Sequence, residues 1–325
     1  MKVIFMGTPD FAVSTLEYLY KAGHEISLVV TQPDRPKGRH GEAQKSDVRI
    51  AAEKLNIPVI TPVKIRSDEE AKQLLREQAP DVIVVTAFGQ ILPQDILDIP
   101  KYGCINVHAS LLPKYRGAAP IQWAVLNGDE ESGVTTMMMD AGLDTGDILM
   151  TKKLRLDKKE TGGSLFDKLA ALGGELIVET LEALEKGTLT RTPQDASLAT
   201  KVGLFTKSSG LIDWSRPAVE IERQIRGLNP WPSAYSFLSG KQLKLWDADV
   251  LTSGNIKDYD LQEISVLTSD RETDKADSEK SAKLFSDRKK YLIAACGDDY
   301  LMLNELQLEG KKRMTAEDFL RGYRF

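Results

Sequence analysis

Apolar positions follow two rhythms along the first half of the chain. Lys2–Met6 is almost wholly apolar, as a strand covered on both faces must be. The turn Gly7-Thr8-Pro9-Asp10 follows, and Phe11, Val13, Leu16, Leu19 and Tyr20 then fall at helical spacing up to Gly23. Ile26–Val30 predicts a second strand, Asp47–Leu55 a helix, and Pro58–Ile60 a short strand. Ser67, with Glu70 three residues on, predicts the capped start of a further helix. Asp81–Ala87 is again apolar on both faces. This alternation predicts an open, mostly parallel α/β sheet with right-handed crossovers. Such sheets bind their ligands beyond the carboxyl ends of the strands. Asn106 and His108 close an apolar stretch that would be one of those strands.

The rhythm changes after the long helical pattern Leu165–Leu184. Thr188–Ala199 is polar and contains Pro193, which predicts a linker over 189–206 between a domain at 1–188 and another at 207–325. Beyond it the strands are short (Leu243–Ala248, Tyr291–Cys296, Leu301–Leu308) and separated by turn residues, the pattern of a small β-barrel or sandwich. Arg271–Lys290 is densely charged with both signs and predicts a solvated loop.

A chain of 325 residues suits two domains of ordinary size. No apolar stretch approaches the ~20 residues needed to span a bilayer, and the opening residues lack the core of a signal peptide. Two well-separated cysteines, Cys104 and Cys296, predict buried free thiols and a reducing compartment, so a cytoplasmic protein. The net charge of −5 argues against a protein that coats nucleic acid but leaves room for local basic patches.

The chemistry narrows by elimination first. Gly7-Thr8-Pro9-Asp10 is not a dinucleotide fingerprint, which disfavours a nicotinamide oxidoreductase. No phosphate-binding P-loop, no Gly-x-Ser-x-Gly elbow and no spaced Cys/His cluster is present, so no metal is expected. Only three histidines occur, and His108 alone has an amide side chain two residues before it and a stiff Leu-Leu-Pro loop after it. On a strand, Asn106 and His108 point to the same side. Leu111 and Leu112 suit either the core or a rim against which a flat ligand packs. Asp144 and Asp147 flank Thr145-Gly146; each reads as a turn residue, with a catalytic role open for Asp144.

Asn106–Gly117, Ser132–Thr135 and Gly142–Asp147 together resemble the folate-dependent formyltransferases. Phe5–Phe11, Gln32–Pro36, Gly210–Ser215, Ile225–Pro232 and Lys311–Tyr323 are similar to the branch of that family whose acceptor is initiator methionyl-tRNA. The resemblance covers nearly the whole chain. It implies a Rossmann-like open parallel sheet for the catalytic domain, followed by a small OB-like β-barrel that binds tRNA. It implies 10-formyltetrahydrofolate as formyl donor, no metal, and a monomer.

Residue by residue, the resemblance implies a catalytic Asn106, His108 and Asp144, and folate contacts from Ser110, Leu111, Leu112 and Pro113. Lys37, Arg39 and Lys45, in the basic loop Arg35–Lys45, would touch the tRNA acceptor stem; Glu42 and Gln44 dilute that loop's charge. Lys311, Lys312, Arg313, Arg321 and Arg324 would add phosphate contacts of the salt-sensitive kind. The residue types fit the reaction. An α-amino group with pKa near ~8 is partly neutral at physiological pH and needs no strong base. Asn106 suits an oxyanion, His108 either an oxyanion or proton transfer, and Asp144 the orientation of the imidazole. Two alternatives remain at this point: the same transfer to an amino sugar or amino-nucleotide, and a catalytically silent RNA-binding protein.

Overall fold

The computed structural model describes residues 1–36, 43–271 and 280–325. Two compact units divide them: 1–121, 131–155 and 165–203 form the first, and 122–130, 156–164 and 204–325 the second.

The first unit is built on a seven-stranded sheet. Its strands are β1 (Lys2–Gly7), β2 (Glu25–Val30), β3 (Val59–Ile60), β4 (Val82–Thr86), β5 (Cys104–His108), β6 (Glu131–Met138) and β7 (Ile148–Arg155). The order across the sheet is β3-β2-β1-β4-β5-β6-β7. The first five run parallel, β6 runs antiparallel to β5, and β7 antiparallel to β6. Every residue of β4 is buried, which is why its sequence carries no alternation. At about 1.5–3 kcal/mol per buried Val or Ile side chain, such central strands supply much of the driving force for folding.

Helices α1 (Asp10–Lys21), α2 (Asp47–Lys54), α3 (Glu69–Gln78) and α4 (Gln94–Leu97) occupy the crossovers. The start of α3 differs from the expectation at Ser67. Residues Ile65–Ser67 form a separate 3-10 turn, and the carboxylate of Asp68 caps α3 by accepting from Ala71 N at 2.9 Å. Asp and Ser are equivalent caps, and the register is decided by the turn that precedes them. After α5 (Pro120–Leu126), the long α6 (Gly162–Glu185) covers the sheet face opposite the Asn106 side. Gly173 allows this approach, because a Cβ there would meet Val107 Cγ1 at 3.0 Å.

The predicted linker is partly built into the first unit. Thr192 bridges Ile148, and Lys201–Val202 pairs in parallel with Arg116–Gly117. Backbone pairing of this kind is invisible to composition, which registers only that the segment is polar.

The second unit contains a closed antiparallel barrel. Its strands are β8 (Ala234–Leu238), β9 (Lys241–Leu251), β10 (Gln262–Thr268), β11 (Ala282–Ser286), β12 (Leu292–Ala295) and β13 (Tyr300–Leu308), with β14 (Met314–Thr315) added to β13. The ring closes because β9 pairs with β8 on one side and β13 on the other. Inward Leu243, Leu245, Leu284, Leu301 and Leu303 fill it, and α7 (Ala218–Gly227) packs Ile221 and Ile225 into the same core, while α8 (Ala316–Gly322) adds Phe319. Strand β11 lies inside the segment expected to be a solvated loop. Ala282, Leu284 and Ser286 are buried while Lys283 is exposed, so a period-two pattern was hidden among charges. No helix among the described residues is long and apolar enough to cross a membrane.

Candidate active site

Strand β5 presents the first two residues. Asn106 and His108 project from one face, while Val107 points to the other, against α6. The side chain of Asn106 is half-buried and takes no hydrogen bond among the described residues.

His108 is buried and held at one nitrogen. Its Nε2 lies 2.9 Å from the Tyr115 carbonyl oxygen. A carbonyl only accepts, so Nε2 carries the hydrogen and Nδ1 is the nitrogen open to a further proton. Oδ2 of Asp144 stands 3.8 Å from Nδ1. That is longer than a hydrogen bond, and the right spacing for an ion pair once Nδ1 is protonated.

Asp144 sits at φ +53°, a left-handed conformation that Asp tolerates better than most residues. Its Oδ2 also accepts from Gly117 N at 2.8 Å. Gly117 has φ +101°, and a Cβ there would fall 2.5 Å from the Val202 carbonyl oxygen, so only glycine suits the position. Asp147, on the other side of Gly146, uses its carbonyl to accept from Met138 N at 2.9 Å and closes the turn onto β6.

The loop between His108 and Gly117 is clamped from two directions. Thr135 Oγ1 donates to Ser110 O at 2.7 Å and accepts from Leu112 N at 3.2 Å. On the other side, Thr200 Oγ1 accepts from Tyr115 N at 2.8 Å, and its carbonyl accepts from Arg116 N at 2.8 Å. Ser110 spends its hydroxyl within the loop, donating to Lys114 O at 2.7 Å. Leu112 is buried, and Leu111 and Pro113 are half-buried, which leaves an apolar rim beside the Asn106/His108 face. That rim fits the apolar flank of a flat heterocycle.

No other side chain competes as a nucleophile on β5. Cys104 is buried at its start, and burial pushes its thiol up to about 12, so it stays protonated. No group of metal ligands occurs among the described residues.

The residues expected to touch tRNA are less assembled. Lys37 and Arg39 lie outside the described residues. Lys45 Nζ pairs with Glu53 at 2.6 Å, and that lysine and Arg49 hold the Glu53 carboxyl below its ordinary range. In the second unit Arg313 pairs with Glu305, and Arg321 with Glu317 and Asp318, while Lys311 and Lys312 are exposed. Two residues that hold the site, Gln194 and Thr200, were missed by sequence reasoning. Both lie in the polar stretch read as a linker, and their partners are mainly backbone groups, which leave no mark in a sequence.

Known proteins resemble this chain along nearly its whole length. Residues 1–181 match the formyl transferase family profile, and 205–324 match that of the formyl transferase C-terminal domain. A methionyl-tRNA formyltransferase of Lachnospira eligens is 53% identical over 322 residues, covering 99% of this chain and 96% of that one. One of Geobacter metallireducens is 47% identical, covering 100% and 96%. Among solved structures, an N-formyltransferase from Helicobacter canadensis, in complex with folinic acid and dTDP-3-aminofucose, shares the fold. Its TM-score is 0.65 at 19% identity, over 97% of this chain and 100% of that one. With family profiles over both halves and about half of its residues shared with full-length relatives, the chain belongs to the methionyl-tRNA formyltransferase family.

Proposed function

We propose that the chain transfers the formyl group of 10-formyltetrahydrofolate to the α-amino group of methionyl-tRNA. The products are N-formylmethionyl-tRNA, used in translation initiation, and tetrahydrofolate. The observation that carries the mechanism is His108 between the Tyr115 carbonyl and Asp144, beside Asn106, whose amide takes no hydrogen bond among the described residues.

Formyltetrahydrofolate supplies an activated formyl carbon, and the rim of Ser110, Leu111, Leu112 and Pro113 would hold it. The neutral amine attacks that carbon; a C–N bond forms, the formyl oxygen becomes negative and the nitrogen positive. Asn106 donates an amide N–H to the oxygen, a contact typically worth ~3 kcal/mol in the transition state. His108 takes the proton from the new ammonium at Nδ1, and Asp144 then faces an imidazolium as its ion-pair partner. The proton passes to the departing folate nitrogen as its C–N bond breaks and the formyl carbonyl is restored. No base stronger than imidazole is required.

In this reading residues 1–188 carry the reacting groups, 189–206 connect the domains and brace the site, and 207–325 bind tRNA, with Lys37, Arg39 and Lys45 at the acceptor stem. For Lys45 a phosphate would replace Glu53 as counterion. Phosphate contacts by Lys311 and Lys312 would make binding steeply salt-dependent. The enzyme would act in the cytoplasm as a monomer.

The test is a choice of acceptors. With 10-formyltetrahydrofolate, methionyl-tRNA should be formylated, while uncharged tRNA and small amines, amino sugars included, should not. Formylation of an amino sugar without methionyl-tRNA would overturn the acceptor; donor binding without turnover on any amine would overturn the chemistry.

A further inference from the structure

Asp144 can meet His108 only if the turn that carries it keeps its place, and one side chain from outside that turn holds it. Gln194 Nε2 donates to Asp144 O at 2.9 Å and to Gly146 O at 2.7 Å. Its Oε1 accepts from Arg116 Nε at 3.0 Å and Arg116 Nη2 at 2.8 Å. All four hydrogen-bonding positions of one amide are thus used, across three separate segments. Arg116 is itself buried, and it adjoins Tyr115, whose carbonyl receives His108 Nε2. The amide therefore ties the segment facing one nitrogen of His108 to the segment facing the other.

We propose that Gln194 is a positioning residue for formyl transfer, fixing Asp144 opposite His108 Nδ1 through the backbone of residues 144 and 146. The proposal rests on the assignment of Asp144 and His108 above. A neutral amide is required. A carboxylate would keep Arg116 but would turn an acceptor toward two carbonyl oxygens; an apolar side chain would strand the buried guanidinium as well.

The experiment compares Gln194→Glu, Asp144→Asn and the double variant, reading kcat, the KM for 10-formyltetrahydrofolate, and Tm. Gln194→Glu keeps the Arg116 partner and should fold. Its kcat should fall on the order of 10- to 100-fold, the usual consequence of misplacing a reacting group by about 1 Å, with folate KM little changed. In the Asp144→Asn background the same substitution should have almost no further effect, because residues acting through one another are not additive. A wild-type kcat in Gln194→Glu would overturn the proposal. So would an equal fall in both backgrounds, or a loss of Tm or a rise in folate KM with kcat intact. Should Gln194→Glu not fold, Gln194→Asn, a neutral amide too short to reach both segments, is read by the same cycle. If Asp144→Asn alone keeps full kcat, it is the assignment of Asp144 that fails; if only the Gln194 variants keep it, the positioning proposal fails by itself.

Discussion

Alanine at Asn106 or at His108 is expected to lower kcat by about 10²–10³-fold while folate KM stays nearly unchanged. The figure for Asn106 follows from losing one donor to a developing oxyanion, typically ~2.7–4 kcal/mol. The amide makes no hydrogen bond among the described residues, so its removal should cost the fold little. For His108 the expected loss is of the same order, since proton transfer by a positioned side chain is worth about 10²–10⁴-fold. His108→Ala also removes the Nε2 hydrogen bond to the Tyr115 carbonyl, so its Tm should fall more than that of Asn106→Ala. Steady-state kinetics with both substrates varied makes the measurement. A large rise in folate KM at unchanged kcat, for either variant, would move these residues from the reaction to the binding of the donor.

Gly146→Ala is expected to produce a comparable fall in kcat without touching a reacting group. A Cβ at Gly146 would collide with the Met138 carbonyl, which is backbone and cannot swing aside. The turn must then lift away from β6, breaking the 2.9 Å bond from Met138 N to Asp147 O, and Asp144 moves with it. A displacement of about 1 Å at such a group can cost 10²-fold. Circular dichroism should report a folded protein with a lower Tm, and single-turnover kinetics a slower transfer step. A variant with normal kcat would mean that Asp144 does not have to stay opposite Nδ1.

The two rhythms of apolar residues were enough to read an open α/β sheet followed by a small β domain, and left barrel or sandwich open for the second. Fully buried β4 and half-buried β9 differ in period because one is covered on two faces and the other on one. That Asn106 and His108 share one face was legible from alternation. Asp144 was legible only as a turn residue with a catalytic role open: it lies 36 positions after His108, and its proximity depends on a turn in left-handed conformation, so the resemblance had to decide. Ser110, expected at the folate, spends its hydroxyl on Lys114, a backbone partner that residue type does not reveal. Strand β11 was hidden because charged neighbours masked a short alternation. Gln194 and Thr200 were hidden because residues that bind backbone have no required spacing. What a sequence transmits well is burial pattern; what it transmits poorly is which polar side chain crosses to another segment.

The central claim is that the amine attacks the donor directly, with Asn106, His108 and Asp144 assisting and no protein group carrying the formyl. It is tested by mixing the enzyme with donor labelled in the formyl carbon, quenching over the first turnover, and separating protein from tRNA. The account predicts that label passes into methionyl-tRNA with the protein unlabelled at every time, and that no label is released when acceptor is omitted. Stoichiometric labelling of the protein that rises before the tRNA product and then decays into it would contradict the account.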